Sequence, residues 1–443
     1  MSSPTAAPLD VSYSLAQPRP RFDAATALTV HIFLLLLVPS SLTIAGMAAY
    51  GRPSLIWGLL LLFWWVIWHL EGQSFTIESR SDPVRMAFFF FVVAVLLSFS
   101  DAMLRGQPSD QISPAISAVI RVASWGGVVL TAIDGLQYRD QVIKLVRRLT
   151  MIGGLLAVFG LVQAITGQTF LAWLAAVPGV QFNADDTISA RGTFSRSAGL
   201  AVHPLEHVTV LIGILPLAIV CGVSRGFARG KSRVGVAWWL PTLVIALSCL
   251  VSVSRSAIVG LVVAFIASLP AMPRRQRWGS AGLAAIGVGV VAIAIPGMLS
   301  TITSLFLGAS SDPSTQSRTN ALSRVPDFMA SSPWLGSGFG TFLPRYYIFD
   351  NQWVMLLVEV GIVGTLAFAS TLFSAVWSSY RARLGADDQF RSLCSAMAAS
   401  VIALGTAYSL FDALAFPMSA GLLFLALGLC GALLKISHRQ SAS

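Results

Sequence analysis

The sequence predicts an all-α fold, a polytopic integral membrane bundle of about twelve transmembrane helices with a large outer loop between spans nine and ten. Three observations predict it. Of the 443 residues 55% are hydrophobic and 11% charged, whereas a water-soluble domain carries roughly a quarter of its residues as charges. Apolar runs such as Trp57-Gly-Leu-Leu-Leu-Leu-Phe-Trp-Trp-Val-Ile-Trp68 recur along nearly the whole chain, and a bilayer-spanning helix needs about 20 mostly apolar residues to keep its backbone polar groups paired internally. The period-two alternation of a membrane β-barrel is missing.

Taken in order, the spans fall at about 27–46, 54–70, 84–103, 115–134, 150–172, 199–222, 235–252, 256–271, 280–299, 351–377, 392–411 and 415–435. Residues 1–26 are polar and proline-bearing, with no small-residue cleavage site after the first apolar run. They read as a disordered cytoplasmic tail and not as a signal peptide. Residues 27–435 form the bundle, and 436–443 a second cytoplasmic tail.

Charge placement supplies the orientation. Most of the 29 Lys and Arg residues lie in loops on one side, among them Arg80, Arg85, Arg139, Arg147, Arg148, Arg229, Arg275, Arg383 and Lys435. The positive-inside rule makes that side cytoplasmic, so both termini are cytoplasmic and the expected location is the plasma (inner) membrane. The net charge of +10 is therefore a topology signal and implies no nucleic acid partner. Two outer loops are long, about 173–198 and 300–350, the second with helix-like pieces broken at Pro326, Pro333 and Pro344. Long ordered loops are usually functional, so any chemistry is expected to face outward. The four cysteines, Cys221, Cys249, Cys394 and Cys430, lack metal-ligand spacing and read as small buried residues.

The outer side also holds arginines, against the topological bias: Arg52, Arg105, Arg191, Arg196, Arg255, Arg318, Arg324 and Arg345, with Arg121 inside span four. A single one is most simply a surface or snorkelling side chain. Several converging would make a cationic site, because guanidinium forks suit phosphate. His203-Pro-Leu-Glu206-His207 has the H-x-x-E-H spacing of inverted zinc peptidases. Pro204 fits only a first helical turn and a third ligand is wanting, so polar packing is the simpler reading and no metal or cofactor is expected.

The third constellation is Pro333-Trp-Leu-Gly336-Ser-Gly338-Phe-Gly340, followed by Asp350-Asn351 and by Glu359-Val-Gly361. The glycines follow no strand, which argues against a nucleotide loop. Asp350 stands at the start of span ten, where a carboxylate can cap the helix for about 1 kcal/mol or serve the site. Glu359, deeper in the span, reads as a paired or functional acid.

Arg191-Gly-Thr-Phe, His203-Pro, Ser252-Val-Ser-Arg255-Ser, Ser317-Arg318, the glycine run, Asp350-Asn351 and Glu359-Val-Gly361 together resemble the O-antigen ligase and O-antigen polymerase superfamily of bacterial membrane glycosyltransferases. The motifs span roughly 190–364. The resemblance implies inverting, metal-independent transfer of a glycan from undecaprenyl (or a related polyprenyl) diphosphate to an acceptor hydroxyl on a glycan or lipid, at the outer face, in surface polysaccharide assembly. It implies that Arg191 and Arg255 bind the diphosphate with help from Arg196 or Arg318, that His203, Arg121, Asn351 and Glu359 line the substrate site, and that Asp350 stands where ligases usually carry a histidine base. That departure moves the expectation from lipid-core ligation toward polymerisation or another surface-glycan transfer. The competing readings are a lipid-linked glycan flippase or other twelve-span transporter and, more remotely, a membrane zinc hydrolase.

Overall fold

The computed structural model describes residues 23–71, 82–182, 189–191, 194–227, 233–252, 254–274, 276–279, 282 and 322–442. These are mostly helical. Eleven helices carry the architecture among them: α1 Ala24–Leu36, α2 Pro53–Leu70, α3 Pro83–Leu104, α4 Ser109–Gly135, α5 Arg139–Thr166, α6 Pro204–Val223, α7 Trp239–Val251, α8 Arg255–Ser268, α9 Gln352–Ala382, α10 Asp388–Ala407 and α11 Pro417–Ala442. Eight of these are long and apolar enough to cross a membrane, and the apolar helices at the positions of α1, α7 and α8 are shorter. The ninth expected span, 280–299, and most of the 300–350 loop lie outside the described residues.

Several boundaries differ from the hydropathy reading. The first span was expected over 27–46, but α1 ends at Leu36 and the chain turns at Pro39 into strand β1, Leu42–Ile44. Strand β1 pairs antiparallel with β2, Val180–Phe182, from the loop after α5. Helix α5 begins at Arg139, well before the expected 150, and stops at Gly167 in the left-handed conformation that ends helices. The piece at 322–329 is helical straight through Pro326, where a break was expected. Helix α11 runs on to Ala442, beyond the expected end of the bundle at 435.

Burial sorts the helices into layers. Helices α6 and α11 are the interior, each 94% buried over its apolar window, whereas α2 is 22% buried and turns most of its surface outward. In lipid, apolar side chains gain little by leaving the tails, so close approach of helices through small residues carries more of the association. The α2–α4 crossing shows this. A Cβ at Gly127 would lie 2.1 Å from the Gly58 oxygen, and Ser124 Oγ donates to the Leu55 carbonyl at 2.9 Å. Trp125 of α4 stacks on Phe424 of α11 at 4.5 Å between ring centroids.

One end of the bundle is tied by Asp134, near the end of α4. Its carboxylate accepts from Trp65 Nε1 at 2.9 Å and Lys435 Nζ at 3.0 Å, and Arg85 Nη1 lies 3.4 Å away. Three helices, α2, α3 and α11, are thereby fixed to α4. The opposite end holds Asp350, Arg52, Arg105 and the loop that follows α10.

Asp134→Ala is expected to lower stability by about 1–3 kcal/mol, because it leaves an indole N–H and two cations without their acceptor. Asp134→Asn, which keeps one acceptor oxygen, should cost less. Thermal unfolding of the purified protein followed by tryptophan fluorescence measures both.

Candidate functional site

The glycine run and the Glu359-Val-Gly361 segment form one structural device. Helix α9 is broken at Gly361, whose φ of 66° and ψ of −169° belong to a backbone region open essentially only to glycine. The loop Pro333–Thr341 docks into the break. Ser337 N donates to the Val358 carbonyl at 2.9 Å and Gly338 N to the Glu359 carbonyl at 2.8 Å. In return Ile362 N donates to the Pro333 carbonyl at 3.0 Å and Val363 N to the Trp334 carbonyl at 3.2 Å. An unbroken helix would join Ile362 to Val358 and Val363 to Glu359. The loop therefore replaces, group for group, the two helical bonds that the break removes.

Close approach explains the glycines. A Cβ at Gly361 would sit 2.3 Å from the Trp334 oxygen, and one at Gly336 2.4 Å from the Glu359 carbonyl carbon. The Glu359 side chain completes the seam, with Oε1 accepting from Gly340 N at 3.0 Å. Helix α3 closes it from behind: Ser98 Oγ donates to the Glu359 carbonyl at 3.0 Å, and Arg105 Nη2 to the Gly336 carbonyl at 2.6 Å. A buried acid committed to the loop backbone is what the structure shows at Glu359.

Asp350 lies nine residues beyond this loop, just before α9. The helix cap there is Asn351, not Asp350: Asn351 Oδ1 accepts from Trp353 N at 3.0 Å and Val354 N at 3.4 Å. Asp350 is left half-buried, and its carboxylate has no hydrogen-bond partner among the described residues. Gln352 then clamps the loop after α10. Its N–H donates to the Tyr408 carbonyl at 2.8 Å, and its Oε1 accepts from Leu414 N at 2.6 Å. That clamp presents Asp412, which interacts electrostatically with both Arg121 and Asp350. Burial pushes the Asp412 carboxyl up to about 6; Arg121 pulls it down and Asp350 adds to the rise. Arg121 itself donates from Nη1 to the Leu414 carbonyl at 3.2 Å and feels Glu359 as well as Asp412.

The H-x-x-E-H segment separates into three roles. His203 is the N-cap of α6, its Nδ1 accepting from Leu205 N at 3.1 Å. Glu206 is fully buried and accepts from Met418 N at 2.7 Å, Val202 N at 3.0 Å and Ser40 Oγ at 3.2 Å, which ties α6 to the first turn of α11. His207 packs against Gly160 and Gly199 beside Ser248 Oγ at 3.4 Å. The three side chains do not converge, and among the described residues no three His, Cys, Asp or Glu side chains are grouped as metal ligands would be.

Of the remaining arginines, Arg191 and Arg196 stand on a hairpin, β3 Ser189–Arg191 and β4 Phe194–Arg196, with Ser189 opposite Arg196 and Arg191 opposite Phe194. Arg255 is the first residue of α8. Arg318 lies outside the described residues. Asp350, Asp412, Arg121 and Glu359 thus lie in one electrostatically linked set, and the hairpin and the start of α8 supply Arg191, Arg196 and Arg255 from separate elements. Asp412 was passed over in the sequence. Its one signal was an acid in the very short turn between the last two spans.

Residues 240–369 match the family model described as Wzy_C, O-antigen ligase. The matched segment begins in α7 and ends within α9, and it contains Arg255, Arg318, the glycine run, Asp350, Asn351 and Glu359. This is the superfamily to which the sequence motifs point. No curated protein matches the chain significantly.

Gly361→Ala is expected to cost about 1–3 kcal/mol in backbone strain alone and to detach the loop, seen as faster amide hydrogen exchange at Ser337, Gly338, Ile362 and Val363. Asp412 gives a pH signature. The folded state keeps its proton up to about pH 6, whereas the unfolded chain releases it near the ordinary carboxyl value of 3.8. Its contribution to stability is thus full below about pH 4 and is lost as pH rises through about 6. Asp412→Asn should flatten that part of the unfolding-temperature profile.

Proposed function

We propose that the protein is a membrane glycosyltransferase of the O-antigen ligase/polymerase type, with Asp350 as the base that activates the acceptor. The observation that carries this reading is the division of labour at the start of α9. Asn351 takes the cap, so among the described residues the Asp350 carboxylate has no hydrogen-bond partner, within a segment that matches the family.

In this reading the donor is a glycan on polyprenyl diphosphate. Asp350 accepts the proton of the acceptor hydroxyl as its oxygen attacks the anomeric carbon from the face opposite the phosphate. The bond between the anomeric carbon and the phosphate oxygen breaks, its electron pair leaves with the diphosphate, and the configuration at that carbon inverts. Fixed cations stabilise the leaving charge, a role assigned to Arg255 and Arg191, with Arg196 and Arg318 as further contacts. His203, Asn351, Arg121 and Glu359 support substrate binding, Glu359 by holding the loop. Guanidinium forks meet the charge that a divalent ion would otherwise carry, so the reaction is assigned as metal-independent. The catalytic face is placed on the outer side of the plasma membrane, with both termini cytoplasmic. An acid in place of the histidine base favours polymerisation, or another surface-glycan transfer, over lipid-core ligation.

A lipid-linked glycan flippase would bind the same diphosphate but has no need of a base at Asp350. Deleting the gene and profiling polyprenyl-diphosphate-linked glycans by mass spectrometry separates the readings. Accumulated single repeat units indicate a polymerase, and accumulated long lipid-linked chains a ligase. Restoration by the wild type but not by Asp350→Asn or Arg255→Ala supports the assignment, each variant losing about 10²-fold or more. An unchanged lipid-linked pool under conditions where the glycan is made contradicts it.

A further inference from the structure

Helices α2 and α3 both pack on α4 but, among the described residues, barely on each other. The wedge between them is a groove of about 680 Å³, walled by Leu62 and Trp65 of α2 and by Met86, Phe89 and Leu96 of α3, with Gly126 of α4 in its floor. Its volume lies within the range of about 300–1,000 Å³ usual for small-molecule sites. Met86, Phe89 and Leu96 remain exposed, so the groove opens sideways, and its polar lining is confined to Trp65, Asp82 and Arg85 at one end.

The length of the groove is that of one leaflet. Along α3 the lining runs from Arg85 to Leu96, and along α4 from Leu130 back to Val119. Each stretch rises about 16 Å at roughly 1.5 Å per residue, against about 30 Å for a whole hydrocarbon core. A groove of that length takes the acyl chain of a lipid from one leaflet.

Charges at the polar end are sorted by sign. Asp82, 8% exposed, accepts through Oδ1 from Val84 N at 2.9 Å and Arg85 N at 3.2 Å, and a Cβ at Gly431 of α11 would lie 3.1 Å from its Oδ2. Asp134, 6% exposed, is spent on Trp65 and Lys435. The cations reach the surface instead, the Arg85 side chain 34% exposed and that of Lys435 29%. Arg85 brings only Nη1 near an acceptor, Asp134 at 3.4 Å, so its Nε and Nη2 donors have no partner among the described residues. Glu71, exposed at the cap of α2, does not line the groove. Trp64, Trp65 and Trp68 crowd the same end of α2, as aromatic residues do at headgroup level. Buried acids and an exposed guanidinium beside an apolar wedge complement a ligand with an anionic head and an apolar tail.

We propose that the groove between α2, α3 and α4 binds an anionic phospholipid, with one acyl chain in the wedge and the headgroup phosphate on Arg85. The site lies at the end of the bundle opposite Asp350, and in the orientation proposed above its lipid comes from the cytoplasmic leaflet. Only the choice of leaflet rests on that reading; the binding stands independently of glycan transfer.

The test exchanges the purified full chain into detergent holding equal phosphatidylglycerol and phosphatidylcholine of the same acyl chains, and counts retained lipid by native mass spectrometry. The wild type is expected to keep one phosphatidylglycerol in preference to phosphatidylcholine. Arg85→Gln should cut that preference about fivefold or more, the worth of one basic residue near a lipid surface, and Arg85→Lys should keep most of it. Ala123→Phe, which fills the groove from α4 and leaves every charge in place, should lose the retained lipid; it carries the test if Arg85→Gln fails to fold. The proposal is overturned if the wild type shows no preference, or if Arg85→Gln or Ala123→Phe retains phosphatidylglycerol as the wild type does. Displacement of the phosphatidylglycerol by added polyprenyl phosphate would also overturn it, by giving the groove to the donor's tail.

Discussion

A backbone carbonyl inside a membrane bundle has no water to turn to, and the break in α9 at Gly361 leaves the Val358 and Glu359 carbonyls without their helical donors. Their rescue by Ser337 and Gly338, with the return of Ile362 and Val363 to Pro333 and Trp334, is the constraint on which this end of the protein depends. The exchange fixes a loop from outside the helix onto a point inside it. Glu359 adds a side-chain bond to Gly340 and Ser98 braces the same carbonyl from α3. The loop Pro333–Thr341 is thus held by the same backbone bonds that would otherwise continue the helix.

Charge placement follows from that framework. Gln352, just inside α9, clamps the loop before α11 and brings Asp412 into the field of Asp350 and Arg121. Glu206 spends its oxygens on the first turn of α11, on Val202 and on Ser40, so the turn after α1, α6 and α11 meet at one buried carboxylate. Among the described residues Arg52 and Arg121 stand at this end without an ion pair, as do the carboxylates of Asp350 and Asp412. Asp134 does the opposite work at the other end, where Trp65, Arg85 and Lys435 use up its oxygens.

The helices were largely legible because lipid demands long apolar runs, and ten of the eleven begin or end within a few residues of those runs. The exceptions are instructive. Helix α5 starts eleven residues early because its first turns, from Arg139 to Thr150, are polar on one side, and hydropathy does not register them. Helix α1 stops early because β1 is claimed by β2, a partner more than 130 residues away that no local pattern announces. The glycine run was visible as a motif, but its purpose was not. The exchange pairs segments some 25 residues apart through backbone atoms, and sequence carries only side chains. Asp350 and Asn351 were both flagged, yet which of them caps the helix is a matter of geometry.

The central claim is that a carboxylate freed from capping duty performs the proton transfer. Purified protein in liposomes, given a polyprenyl-diphosphate-linked glycan and an acceptor, should release polyprenyl diphosphate as the product forms. Asp350→Asn is expected to lose this release, while Asp350→Glu, which keeps a carboxylate at that position, retains part of it. Full activity in Asp350→Asn would contradict the assignment.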